Sequence, residues 1–166
     1  MGPISIIQMK RAMFSLYIDI PDEQLDNQDP YFWDNISKSK RTKISLQENY
    51  NRLLDSKNNY ADAIGVNFFM YEYDNNYLQY QNFFQQKYPQ ISTYNIVNFY
   101  KIHLLYELAK NYDEILYLDF DVVPCTGLNF FEVWDLQQGI CLFENNKDVN
   151  KRRRPIYKIN HSVRSP

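Results

Sequence analysis

"EILYLDFDVVP", residues 114–124, decides how the rest of the chain is read. Ile115, Leu116, Tyr117 and Leu118 make a short apolar run, the pattern of a buried strand, and Pro124 and Gly127 turn it into a loop. Asp119 and Asp121 stand where that run ends. Burying one carboxylate is costly, and two neighbouring carboxylates repel each other, so the pair calls for a compensating charge. A cation is the simplest one. If the strand continues through both residues, alternation puts the two carboxylates on one face and Phe120 on the other, with Cα atoms about 6 to 7 Å apart. Two carboxylates at that spacing can converge on one divalent ion. The plainer alternative is a pair of surface carboxylates opening a loop, where Asp satisfies turn backbone.

The neighbouring segments alternate between strand and helix patterns. "RAMFSLYIDIP" (11–21) predicts a first strand ended by Pro21, and a polar, turn-rich segment follows it. Ser45 and Glu48 have the spacing of a capping box, ahead of a helical stripe of Leu46, Tyr50, Leu53 and Leu54. After Gly65, "VNFFMYEY" predicts a second strand with Asp74, Asn75 and Asn76 as its exit turn. "YLQYQNFFQQKYP" predicts a helix stopped by Pro89. Ser92 or Asn95 can cap the next helix, with Val97, Tyr100, Leu104, Leu105 and Leu108 as its apolar stripe. "GICLFE" (139–144) is a fourth strand candidate. Such an order predicts an α/β fold: a mainly parallel central sheet with helices on both faces, Rossmann-like, over a single domain 1–166 with a basic tail at 147–166. The apolar run before Asp119 places its strand centrally in that sheet.

Composition narrows the function classes. A formal net charge of -2 gives no general attraction to nucleic acid or to an anionic membrane surface. The run Lys151–Arg154 has the form of a localisation signal or polyanion patch, but reads more simply as an exposed loop. Lys10 and Arg11 follow the short apolar start instead of preceding it, which is not the order of a signal peptide, and no stretch is long enough to span a membrane. Cys125 and Cys141 are too few for a disulfide framework, and neither has a histidine close in sequence. A cytoplasmic location is expected.

"KNYDEILYLDFDVVP", preceded by "NFYKIHLLYELA", resembles the Asp-x-Asp region of GT-A glycosyltransferases, most of all the group of glycogenin and the bacterial lipopolysaccharide galactosyltransferases. The likeness is specific from about 92 to 145 and loose elsewhere. Lys101 lies about where that family carries a Lys or Arg, and "GLNFFEVWDLQQGICLFEN" is similar to its short helix and return strand. The resemblance implies transfer of a sugar from a nucleoside-diphosphate donor, most simply a UDP-sugar, to a glycan, protein or lipid acceptor that it leaves unspecified. It implies Mn²⁺ or Mg²⁺ at Asp119 and Asp121, Lys101 on the diphosphate and Tyr17 stacked on the base. Lys101 also reads as a solvated helix lysine and Tyr17 as a core residue; Asp19 and Asp74, near other strand ends, are weaker candidates. The family continues further and often carries a third ligand, a histidine, whereas His161 lacks that context. The resemblance therefore leaves open a C-terminally truncated fragment, a small transferase or a non-catalytic nucleotide-binding remnant. A haloacid-dehalogenase-type phosphatase, with Asp119 as nucleophile, fits the local pattern but lacks the acidic motif that should follow.

Overall fold

The computed structural model describes residues 9–25, 32–33, 36–134, 136, 139, 141–142 and 157–158. Three parallel strands form its main sheet: β1 (Arg11–Tyr17), β4 (Asn67–Glu72) and β5 (Glu114–Tyr117). Between β1 and β4 come a short antiparallel pair, β2 (Phe32–Trp33) and β3 (Ile36–Ser37), then α1 (Lys38–Glu48) and α2 (Tyr50–Ile64). Between β4 and β5 lie α3 (Asn75–Lys87) and α4 (Thr93–Leu108). The fold is thus an α/β arrangement with an open parallel sheet, as the alternation predicts.

Local chemistry sets the boundaries. Gly65 ends α2 in the left-handed region, at φ 68°, and its N–H reaches the carbonyls of Ala61 and Asp62. Asp74 is the N-cap of α3, accepting from the Tyr77 N–H at 2.8 Å, and Ser92 caps α4 through the Asn95 N–H. The predicted capping box fails. Ser45 lies inside α1, which starts seven residues earlier in a run of Lys, Arg and Ser without apolar periodicity. The α4 stripe also shifts: Ile96, Tyr100, Leu104 and Leu108 are buried, Val97 is partly buried and Leu105 is exposed.

Strand order is β4-β1-β5, so the central strand is β1, whose Ala12 to Leu16 are all buried. The central position expected for β5 is not found: among the described residues it pairs only with β1, and its burial alternates along the strand. An apolar run marks a strand covered on its faces, but says nothing about how many strands flank it. Phe14 and Leu16 pack with Tyr77 of α3 and with Tyr100, Leu104 and Leu108 of α4 in one buried cluster. Tyr17 points to the alternate face and meets Tyr50 of α2, ring centroids 5.8 Å apart. Helices therefore cover the sheet from both sides.

The sequence suggests no boundary near Gly127, yet the chain forms two compact units, Met1–Gly127 and Leu128–Pro166. In the second, α5 (Phe130–Val133) is capped by Asn129, and β6 (Cys141–Leu142) pairs antiparallel with β7 (Tyr157–Lys158). What is described of the predicted fourth strand is thus in a separate two-stranded sheet, not in the parallel one. Lys151–Arg154 and His161 lie outside the described residues. Among the described residues, no helix is long and apolar enough to cross a membrane.

Candidate functional site

In chain order the three parallel strands run first to one side of β1 and then to the other. Such a reversal separates the loops that leave adjacent strands and opens a crevice beyond their carboxyl ends, where α/β proteins bind ligands. A cleft of about 890 Å³ lies at that place. Leu16, Tyr17 and Ile18 line it from the end of β1, and Asp119, Phe120 and Asp121 from beyond β5. The start of α4 and Lys101 contribute a further wall. The four foremost candidates from the sequence, Tyr17, Lys101, Asp119 and Asp121, line this one cleft.

The two aspartates are not on a strand. β5 stops at Tyr117, and the chain turns at Asp119–Val122, closed by the Val122 N–H on the Asp119 carbonyl at 3.0 Å. Alternation along a strand therefore does not govern where they point. Both are exposed, while Phe120 between them is buried. The compensating charge for Asp119 comes from the protein: its Oδ1 accepts from the Lys101 ammonium at 2.9 Å and from the Tyr117 hydroxyl. Partial burial pulls the Asp119 carboxyl up, but those two hydrogen bonds and the Lys101 charge more than offset it and hold it below its ordinary value. Burial and the same aspartate push the Tyr117 hydroxyl far up, so it remains a donor.

Tyr17 stacks on Phe120, with centroids 5.1 Å apart and planes at 23°, and Tyr50 completes the aromatic trio. Its hydroxyl is buried without a hydrogen-bond partner among the described residues. Burial first, then the nearby Asp19 charge, push its pKa up to about 12. One face of Tyr17 thus belongs to the protein. Asp19 and Asp74 have structural partners: Asp19 accepts from Gln47 and pairs with Lys43, and Asp74 caps α3.

Lys57 was not singled out from the sequence. It is fully buried on α2, and its Nζ donates to the carbonyls of Phe120 at 2.7 Å and Val122 at 2.8 Å. The same ammonium lies 5.1 Å from the Phe120 ring centroid. A signal existed: Leu53, Lys57, Ala61 and Ile64 follow helical spacing, so a lysine sits on the apolar stripe. Ser15, also fully buried, donates its hydroxyl to the Leu118 carbonyl at 2.7 Å.

No family model, curated protein or solved structure matches this chain. The chemistry of the cleft must then speak for itself. Two exposed carboxylates supply hard oxygen donors of the kind that suit Mg²⁺ or Mn²⁺. Among the described residues, no group of three or more His, Cys, Asp or Glu converges. Lys101 adds a positive charge on the same cleft, and the stacked rings of Tyr17 and Phe120 give it an aromatic wall.

Proposed function

We propose that the cleft binds a nucleoside-diphosphate sugar together with Mn²⁺ or Mg²⁺, and that the chain is a GT-A-type glycosyltransferase domain with a UDP-sugar as its most fitting donor. The observation that carries this reading is the meeting of Asp119, Asp121, Lys101 and Tyr17 at the ends of the two strands where the sheet order reverses. Asp119 and Asp121 would hold the ion, which supplies stabilisation of the charge that builds on a departing diphosphate. Lys101 is the group that exchanges partners. Its bond to Asp119 is exposed and therefore weak, so the ammonium can turn to a diphosphate oxygen. Tyr17, with Phe120 behind it, offers its edge or free perimeter to the base end of the donor. An exposed free thiol at Cys125 fits the reducing compartment expected for the protein.

A second reading keeps the nucleotide and drops the transfer. Its support is that Asp119 Oδ1 already has two hydrogen-bond donors, so the site holds its charge balanced without any reaction. Calorimetry with UDP tests what the two readings share. Mn²⁺ is expected to tighten UDP binding, and EDTA to remove the gain; equal affinity in both conditions would end the proposal. Release of UDP from a UDP-sugar, at a rate above that of the Asp119→Asn Asp121→Asn double variant, then separates the transferase from the silent binder.

A further inference from the structure

We propose that Lys57 is a positioning residue for a divalent cation at Asp119 and Asp121: from inside α2 it fixes the backbone on both sides of Asp121 and so sets how tightly the pair takes up a metal–nucleotide. This rests on the metal-dependent nucleotide reading above and deepens it.

A lysine with no exposed surface is rare, because removing an ammonium from water is costly unless every proton finds a partner. Here two protons go to the carbonyls of Phe120 and Val122, and the Phe120 ring lies against the same ammonium. The residue between those carbonyls is Asp121. With the Ser15 hydroxyl on the Leu118 carbonyl and the Val122 N–H on the Asp119 carbonyl, the backbone oxygens of 118, 119, 120 and 122 are all bound. Ser15 and Lys57 thus hold the oxygens of 118, 120 and 122, the Val122 N–H closes the turn on the Asp119 oxygen, and both aspartates line the cleft. Burial pulls the Lys57 amine down, and the nearby Asp121 charge offsets part of that.

Lys57 exerts two opposed effects on a bound cation. Its charge repels the ion, and its grip on the turn removes the disorder that binding would otherwise have to remove. The carbonyl oxygens turn their negative ends to the ammonium and mute its charge, whereas the ordering acts in full. Supporting partners of this kind typically change metal affinity by about 10- to 100-fold.

The test uses Mn²⁺ and UDP as probes on the full chain, comparing wild type with Lys57→Met, which keeps an unbranched chain one atom shorter and removes charge and donors. Mn²⁺-supported UDP affinity, measured well below the melting midpoint, is expected to fall about tenfold or more in Lys57→Met. A lysine that matters only to stability would lower the midpoint and leave that affinity alone. The second readout needs no variant. In wild type with EDTA, the Val122 amide should already exchange slowly, and adding Mn²⁺ and UDP should slow it little. If Lys57→Met does not fold, this measurement decides. A Val122 amide that exchanges freely in EDTA and becomes protected only with Mn²⁺ and UDP would overturn the inference. So would equal Mn²⁺-supported affinity in both proteins, or tighter binding in Lys57→Met, which would mean that repulsion outweighs order. Wild-type binding of UDP that ignores Mn²⁺ would overturn the metal reading itself, and this inference with it.

Discussion

Asp119 shows how a protein can balance a carboxylate at the rim of a cleft with its own side chains. Judged as an isolated pair, Asp119 and Asp121 should relieve repulsion when either becomes Asn, leaving the metal-free protein as stable as before or slightly more so. For Asp119 the geometry reverses that expectation, because Lys101 and Tyr117 both donate to the ionised form. Its native pKa is held below the ordinary 3.8, so ionisation favours the folded state. That contribution is complete above 3.8 and disappears as pH falls through the depressed value. With its side chain about half exposed and its partner pair screened by water, the effect is about 0.5 kcal/mol. Asp119→Asn in EDTA should therefore melt slightly lower than wild type near neutral pH. The gap should close as the solution is acidified below 3.8. A gap that widens on acidification, or a variant that melts higher at neutral pH, would show that Asp121 outweighs Lys101.

Among the elements, α2 combines what was legible in the sequence with what was not. Its stop was legible. Gly65 sits at φ 68° with open space around the position of an added Cβ, so Gly65→Ala is opposed by backbone conformation alone. The expected loss is about 1 kcal/mol in a urea titration, and Gly65→Asn should lose less, since Asn tolerates the left-handed region better. A loss near zero would mean that the helix end relaxes. Gly65, Pro89 and Ser92 could be read because each acts through the backbone of its own neighbourhood. The start of α1 could not: Lys38 to Lys43 carry no apolar period, and the Ser45–Glu48 spacing imitates a cap within a continuing helix. That β5 pairs, among the described residues, only with β1 was equally hidden, since strand pairing depends on segments far away in sequence. The Asp-x-Asp motif was found, but the same-face logic attached to it assumed a strand running on through Asp121, four residues beyond its end at Tyr117. Lys57 was visible as a charge on an apolar stripe; what it holds was not.

At the scale of the whole chain, every described residue lining the cleft falls between Leu16 and Asp121, inside the unit Met1–Gly127. That unit also contains the parallel sheet, α1 to α4 and the buried cluster around Phe14. A chain ending at Gly127 should therefore fold and keep the Mn²⁺-supported UDP affinity of the full chain, as read by calorimetry. Loss of binding with a cooperative melt retained would show that Leu128–Pro166 contributes to the nucleotide site. The sheet has one more consequence, in time. β1 pairs on one side with a strand that begins at Asn67 and on the other with one that begins at Glu114; the Arg11–Glu114 contact closes a separation of 103 residues. At roughly 5 to 20 residues per second, synthesis of that interval takes about 5 to 20 s. Through this delay the most buried strand of the sheet waits on the ribosome with one ladder or both unmade. Ordering of the Asp-x-Asp turn, whose Leu118 carbonyl needs Ser15 and whose Phe120 carbonyl needs Lys57, comes at the end of that wait. The nascent chain is thus expected to carry an unpaired strand for seconds and to complete the cleft only after β5 has been made.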